Sequence, residues 1–232
     1  VDYYLYADWA GKANKTFKAY SSDPADLLID TEAEGSYIQP LTYAYSVASM
    51  IEISSQRLRI RGGGINLDTL VFPAGEQKLP FLPGCSFFIR DWDRQVITGN
   101  IFRIGLYRTI SPLKIDIGLT LSRYWTAFVV YDDAGNYLSN TSGPALPYNA
   151  SDPRFNFKLE HGYDRKFRFY YAAPGTTNWI LCVESPEVPQ ATSDYYATVG
   201  SVPIVEGNEP TLYEELYIRG MYLTGNPAIS PF

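Results

Sequence analysis

The residues that could carry chemistry are few. The chain has 232 residues with 1 histidine and 2 cysteines. The histidine, His161, precedes Gly162 and has no Gly-x-Ser-x-Gly motif beside it, so we expect a turn histidine and not a catalytic base. Sites with two histidine ligands or paired Cys-x-x-Cys motifs are excluded. We therefore predict a non-enzymatic protein that has neither a cofactor nor a metal site.

One cluster, Asp91-Trp92-Asp93, has the residue types that recognise sugars. An aromatic ring can stack on a sugar ring while neighbouring carboxylates accept its hydroxyl groups. The spacing does not place two carboxylates at the separation that a glycosidase needs, so we predict sugar binding ahead of hydrolysis. The alternative, which we favour, is that Trp92 is a buried strand residue and the two acids lie at a solvated strand end.

A second acidic group, Asp132, Asp133 and Asn136, offers oxygen ligands but lacks the alternating spacing of a calcium loop. It follows an apolar run and precedes another, with Gly135 between. This pattern favours a β-hairpin turn.

The elements that must position these residues are β-strands. Apolar and polar residues alternate with a period of two over 58–61, 114–122, 155–159 and 166–169. Glycine and proline turn signals separate these runs, as at Pro83-Gly84 and Pro174-Gly175. We predict a mainly β protein, an antiparallel β-sandwich of the jelly-roll type. Cys85 and Cys182 lie in two of the apolar patterns, and either a disulfide or two buried thiols is compatible with them.

We expect two parts. Residues 1–35 form an N-terminal arm with at most one short helix, and Tyr3, Tyr4, Tyr6 and Trp9 are its candidate interface residues. Residues 36–232 form the β domain. The Ser-, Asn- and Pro-rich segment 138–152 reads as a long loop, and it could divide the domain into two β subdomains.

The composition argues against two classes of partner, nucleic acids and the membrane interior. Acidic residues outnumber basic ones, 25 to 19, for a net charge of −6, so we predict no direct nucleic-acid binding. The apolar runs are far shorter than the ~20 residues that cross a bilayer, which predicts no membrane span.

Two stretches have a recognisable pattern. A Pro-Ala-Gly turn within 72–80 leads to the strand Gly-x-x-Phe-Phe-Ile-Arg at 84–90, and the segment 215–220 ends in Arg-Gly. The first resembles β-barrel modules of bacteriophage virion proteins, such as spikes and fibres, and the second is similar to their closing strands. The resemblance implies a non-enzymatic structural role and transfers no functional residue.

We therefore predict a virion or surface-assembly protein (a spike, decoration or outer-shell component) that acts through interfaces rich in Tyr and Phe. Its partners would be copies of itself, most plausibly in a trimer, and other virion or surface proteins. The alternative is a secreted carbohydrate-binding module or lectin, with a glycan as partner. Both hypotheses place the protein on a virion or outside the cell.

Overall fold

The computed structural model describes residues 4–11, 15–17, 29–30, 37–38, 41–42, 50–61, 64–72, 75–93, 102–108, 117–121, 126–132, 136–143, 146, 154–189, 194–200 and 215–225. Its strands, in chain order, are β1 (Tyr4–Asp8), β2 (Lys15–Phe17), β3 (Ile29–Asp30), β4 (Tyr37–Ile38), β5 (Leu41–Thr42), β6 (Met50–Ser54), β7 (Arg57–Arg61), β8 (Gly64–Leu67), β9 (Thr69–Phe72), β10 (Gly75–Lys78), β11 (Ser86–Asp93), β12 (Phe102–Arg108), β13 (Ile117–Leu121), β14 (Thr126–Tyr131), β15 (Tyr137–Gly143), β16 (Arg154–His161), β17 (Phe167–Ala172), β18 (Ile180–Glu184), β19 (Tyr195–Gly200), β20 (Glu215–Ile218) and β21 (Gly220–Thr224). Within these ranges no helix is long and apolar enough to span a membrane.

The largest sheet contains ten of the described strands, all paired antiparallel. Its order is β18-β17-β16-β11-β20-β7-β6-β2, and β21 pairs with both β11 and β1. Strand β11 is central, since β16 runs along one side while β21 and β20 share the other. Arg219 lies between β20 and β21, and its N–H donates to the carbonyl of Arg90 on β11 at 2.9 Å.

A second sheet of seven described strands faces the first. Its order is β15-β14-β13-β12-β19-β8-β5. A third sheet has four described strands in the order β10-β9-β4-β3. Aromatic rings join the two large sheets: Phe128 of β14 meets Phe169 of β17 edge-on, with ring centroids 5.3 Å apart. Phe167 of β17 meets Tyr195 of β19 in the same way at 5.8 Å. The predicted antiparallel β-sandwich is confirmed.

The core lies between the two sheets and is made of the apolar residues that alternate along the strands. Leu58 and Ile60 on β7, and Leu159 on β16, are fully buried, whereas the intervening Arg59 and Lys158 reach the surface in part. This is the pattern expected when one face of each sheet packs and the other is hydrated. Cys85 and Cys182 are both buried and carry no disulfide bond.

Part of the predicted N-terminal arm belongs to the large sheet. Strand β1 pairs antiparallel with β21, from Tyr4 opposite Thr224 to Asp8 opposite Gly220. The short helix predicted for this arm falls at residues outside the described ranges. The boundary between arm and domain near residue 35 stays a prediction, as does the division near 138–152. The long loop predicted for 138–152 is wrong over 138–143, because these residues belong to β15, which pairs with β14.

Candidate functional site

The predicted cluster Asp91-Trp92-Asp93 lies at the end of β11, where the strand contains a β-bulge. The pairing of β11 with β16 shifts register between Ile89 and Trp92, and Asp91 has a φ of 50°. The N–H of Asp91 donates to the side-chain Oδ1 of the buried Asn156 at 2.9 Å. A bulge re-aims the side chains that follow it, and here it turns Trp92 toward the core.

The environment of this cluster is internal. Trp92 is 2% exposed and packs edge-on against Phe157, with ring centroids 5.7 Å apart. Asp91 lies 3.7 Å from Arg154, and Asp93 lies 2.5 Å from Arg57. The ring therefore presents no open face for a sugar, and both carboxylates have arginine partners. Sugar binding here stays a prediction, and the burial of the ring favours the structural alternative.

The four candidate interface residues are placed differently. Tyr3 lies outside the described residues, and Tyr4 and Tyr6 lie on β1, opposite Thr224 and Tyr222 of β21. Trp9 is 3% exposed and belongs to the core of its own chain. An interface formed by these residues stays a prediction. The ring of Trp9 is buried and offers no exposed surface to such an interface.

A cavity of about 350 Å³ opens where loops of the large sheet meet β19 of the facing sheet. This volume is in the range of small-molecule sites, roughly 300–1,000 Å³. Its apolar lining consists of Phe81, Leu82, Pro83, Phe167, Val188 and Pro189. Its lining residues with polar groups are His161, Tyr163, Arg165, Asp194 and Tyr195. We call this cavity the His161 pocket.

Backbone hydrogen bonds fix the loops that form the His161 pocket. Gly84 donates to the carbonyl of His161 at 2.7 Å, and His161 donates to the carbonyl of Cys85 at 3.0 Å. Phe81 donates to the carbonyl of Tyr195 at 2.7 Å, which joins the loop before β11 to the facing sheet. Such bonds make the pocket a preformed one, so a ligand need not order these loops on binding.

His161 forms part of the pocket wall between two phenylalanine rings. Its imidazole stacks on Phe167 at 4.2 Å and lies parallel to Phe81 at 6.4 Å, between ring centroids. Its Nδ1 is 3.1 Å from the carbonyl oxygen of Phe81. Burial lowers the pKa of His161, and the hydrogen bond to Phe81 and the nearby Asp164 oppose this less strongly. The neutral ring is the stable form at neutral pH, with the proton on Nδ1.

The mouth of the pocket carries an exposed aromatic ring. Tyr163 is 77% exposed, although a tyrosine usually buries much of its ring. The ring lies against Gly84, where an added Cβ would stand 2.5 Å from the Tyr163 hydroxyl oxygen. Gly84 has a φ of +94°, so glycine is required both for the turn and for the close approach of the ring.

Charged groups around the mouth are nearly balanced. Arg165 lies 3.5 Å from Glu187. Arg168 binds both Asp164 and Glu184, and Lys166 binds Glu184 at 2.9 Å. The hydrogen bond from Arg168 lowers the pKa of Asp164, and those from Lys166 and Arg168 lower the pKa of Glu184.

The described lining residues offer few carboxylate groups. Among the described residues that line the pocket, Asp194 is the only carboxylate, whereas acid-catalysed glycoside hydrolysis uses two. Within the described ranges no three His, Cys, Asp or Glu side chains come together as a metal site would require. The pocket offers an aromatic platform, an apolar interior and a few polar atoms.

The sequence does not predict this pocket. A turn histidine is expected at position 161, whereas His161 ends β16 and its ring is buried between β17 and the loop before β11. The local signal that was available is Tyr163 in the turn between β16 and β17, an aromatic residue where turns usually carry small or polar ones.

Comparisons with known proteins find structures with a similar fold but no similar sequence. No family model matches the chain, and no curated protein does. A protein of unknown function from Shewanella oneidensis MR-1 has a TM-score of 0.52 at 11% identity, over 100% of this chain and 90% of its own.

The exoplasmic/lumenal domain of VIP36, in its Ca²⁺- and Man3GlcNAc-bound form, has a TM-score of 0.50 at 10% identity. That match covers 84% of this chain and 86% of that one. The Ca²⁺- and Man2-bound form has a TM-score of 0.50 at 9% identity, over 94% and 89%. The sandwich is shared with a glycan-bound domain.

These matches correct the resemblance inferred from sequence. The segments 72–91 and 215–220 suggested a phage virion module, but structures that share the fold include the VIP36 domain and a bacterial protein of unknown function. The resemblance was wrong because a Pro-Gly turn followed by an apolar strand occurs in any antiparallel sandwich.

Proposed function

We propose that this chain is a non-enzymatic carbohydrate-binding domain and that the His161 pocket is its binding site. The observation that carries the proposal is the exposed ring of Tyr163 at the mouth of a preformed pocket. A pyranose has an apolar face of C–H groups and a rim of hydroxyls. A binding site for a pyranose therefore needs a flat ring against the C–H face and polar atoms beside the hydroxyls.

The polar atoms are available beside the ring. Asp194 and Arg165 line the same pocket, the first able to accept and the second able to donate a hydrogen bond to a hydroxyl. The proposal assigns the hydroxyl contacts to these two side chains of the chain itself. The proposal includes a secreted or otherwise extracellular location.

The test is a glycan array followed by calorimetry, with Tyr163→Ala as the variant. We expect the wild type to bind a subset of glycans and the variant to lose about tenfold or more in affinity, because the stacking surface is removed. Mannose-containing glycans belong on the array, since VIP36 is bound to such glycans.

The matched control is Tyr137→Ala, which removes a tyrosine that is 49% exposed on β15, away from the pocket. It should bind as the wild type does. Equal loss in both variants would mean that neither tyrosine marks the site. A folded wild type that binds no glycan on the array would end the proposal.

A further inference from the structure

The imidazole of His161 gives the wall of the His161 pocket a well-defined hydrogen-bond acceptor. Because Nδ1 of His161 donates to the Phe81 carbonyl at 3.1 Å, the lone pair of the neutral ring lies on Nε2. Nε2 makes no hydrogen bond to any described residue, and His161 lines the cavity. The atom can therefore accept a hydrogen bond from a bound hydroxyl group.

The surroundings of this nitrogen discriminate against anions. Phe81 and Phe167 flank the imidazole and donate no side-chain hydrogen bond, so a carboxylate placed there would lose its hydration without compensation. Arg165, the cation of the lining, lies beside Glu187, and Asp194 adds a negative charge. An uncharged ligand that donates a hydroxyl hydrogen has no charge to dehydrate and is not repelled by Asp194.

The size of the pocket limits how much ligand enters. About 350 Å³ equals the volume of roughly a dozen liquid water molecules, room for one or two pyranose rings. A single exposed ring, Tyr163, stands at its mouth. An extended polysaccharide usually needs several platforms in a row, as successive bases do on a nucleic-acid-binding surface.

We infer that the His161 pocket binds the terminal one or two residues of an uncharged glycan, with a hydroxyl donating to Nε2 of His161 and a pyranose face against Tyr163. The inference rests on the proposed function and adds to it the ligand's charge, its end-on orientation and the contact inside the pocket.

The test uses calorimetry and NMR on the intact chain. The probes are methyl glycosides of mannose, glucose and galactose, the matching di- and tetrasaccharides, and methyl glucuronide as the acidic probe. Because the chain has 1 histidine, its imidazole nitrogens give a single, unambiguous pair of ¹⁵N signals. We expect the neutral probe that binds to shift the Nε2 signal, with the tetrasaccharide binding within about threefold of the disaccharide.

The variant is His161→Phe, which keeps an aromatic ring between Phe81 and Phe167 and removes the acceptor. We expect about a tenfold loss in affinity, the value of one buried hydrogen bond. A probe that lacks the donated hydroxyl should lose the same factor on the wild type and nothing further on the variant. This double comparison also covers the case in which the variant is poorly folded, since the deoxy probe tests the wild type alone.

The outcomes distinguish failure of this inference from failure of the proposed function. Affinity that rises tenfold or more from disaccharide to tetrasaccharide, a preference for glucuronide, or binding without a shift of Nε2 would overturn the inference and leave a carbohydrate-binding domain. Absence of binding by every probe and every arrayed glycan would overturn both.

Discussion

The buried imidazole of His161 makes the stability of the fold depend on pH. Its pKa lies below the usual value of 6.5, so on acidification the unfolded chain takes up a proton before the folded chain does. The stability contributed by the neutral ring is fully present above about pH 7. It is lost as the pH falls from about 6.5 toward the lowered pKa. We expect the free energy of unfolding to fall with a slope of at most about 1.4 kcal/mol per pH unit, measured by urea denaturation between about pH 5 and 8.

The control is the same series on His161→Phe, which should be flat in this window. Asp164 and Glu184 also have lowered pKa values, but the stability they contribute is lost only at more acidic pH, below about 4.5. That acid limb should persist in the variant. If the substitution leaves the slope of the free energy of unfolding against pH unchanged, the titrating group is not His161.

Among the elements, strand β11 depends on a side chain of β16 for its shape. The bulge at Asp91 leaves a backbone N–H that bonds to Oδ1 of Asn156, a residue that is 1% exposed. We expect Asn156→Ala to lower the free energy of unfolding by about 2–3 kcal/mol, because a buried donor then loses its partner and a small cavity opens. Thermal or urea unfolding measures this.

Asn136→Ala is the matched substitution at an exposed position. The side-chain amide of Asn136 also donates a hydrogen bond, to Oδ2 of Asp132 at 3.1 Å, but water can replace it. We expect a change within about 0.5 kcal/mol. Equal effects at both positions would mean that the Asn156 bond does not hold the bulge.

Local patterns predict the strands of this fold, whereas its special positions depend on distant residues. The period of two identified β7, β16 and β17 because each strand buries one face, a property of the strand alone. The hairpin at Asp132–Asn136 was predicted from adjacent residues, and β14 and β15 do pair across it. The bulge was not predictable, since Asn156 lies on another strand, 65 positions away from Asp91.

The same distinction explains the two candidate sites. The Asp91-Trp92-Asp93 cluster is visible in sequence because its members are adjacent, but its burial depends on Phe157 and on two arginines from other strands. The His161 pocket takes its walls from four separate segments, 81–83, 161–167, 188–189 and 194–195. No spacing rule joins these segments, because strand pairing and backbone hydrogen bonds bring them together.

At the scale of the whole molecule, the sandwich has one edge rich in exposed apolar side chains. Within the described strands, β18 ends the large sheet, β15 ends the facing sheet, and the two lie beside each other. Ile180 and Leu181 on β18 are 51% and 49% exposed, and Tyr137 and Leu138 on β15 are 49% and 38% exposed. Sheet edges are commonly guarded by charge or proline, and an unguarded apolar edge favours pairing with another chain.

We therefore predict that the chain forms a homo-oligomer through this edge. Light scattering coupled to size exclusion should give a mass above the monomer that increases with concentration. Leu181→Lys should return it to the monomer, because a lysine at the edge opposes desolvation and strand pairing. Tyr163→Ala removes an exposed aromatic residue from the pocket instead and should leave the mass unchanged. A wild-type chain that stays monomeric at all concentrations would show that the edge does not associate. Glycan binding by the His161 pocket would then be a property of the single sandwich.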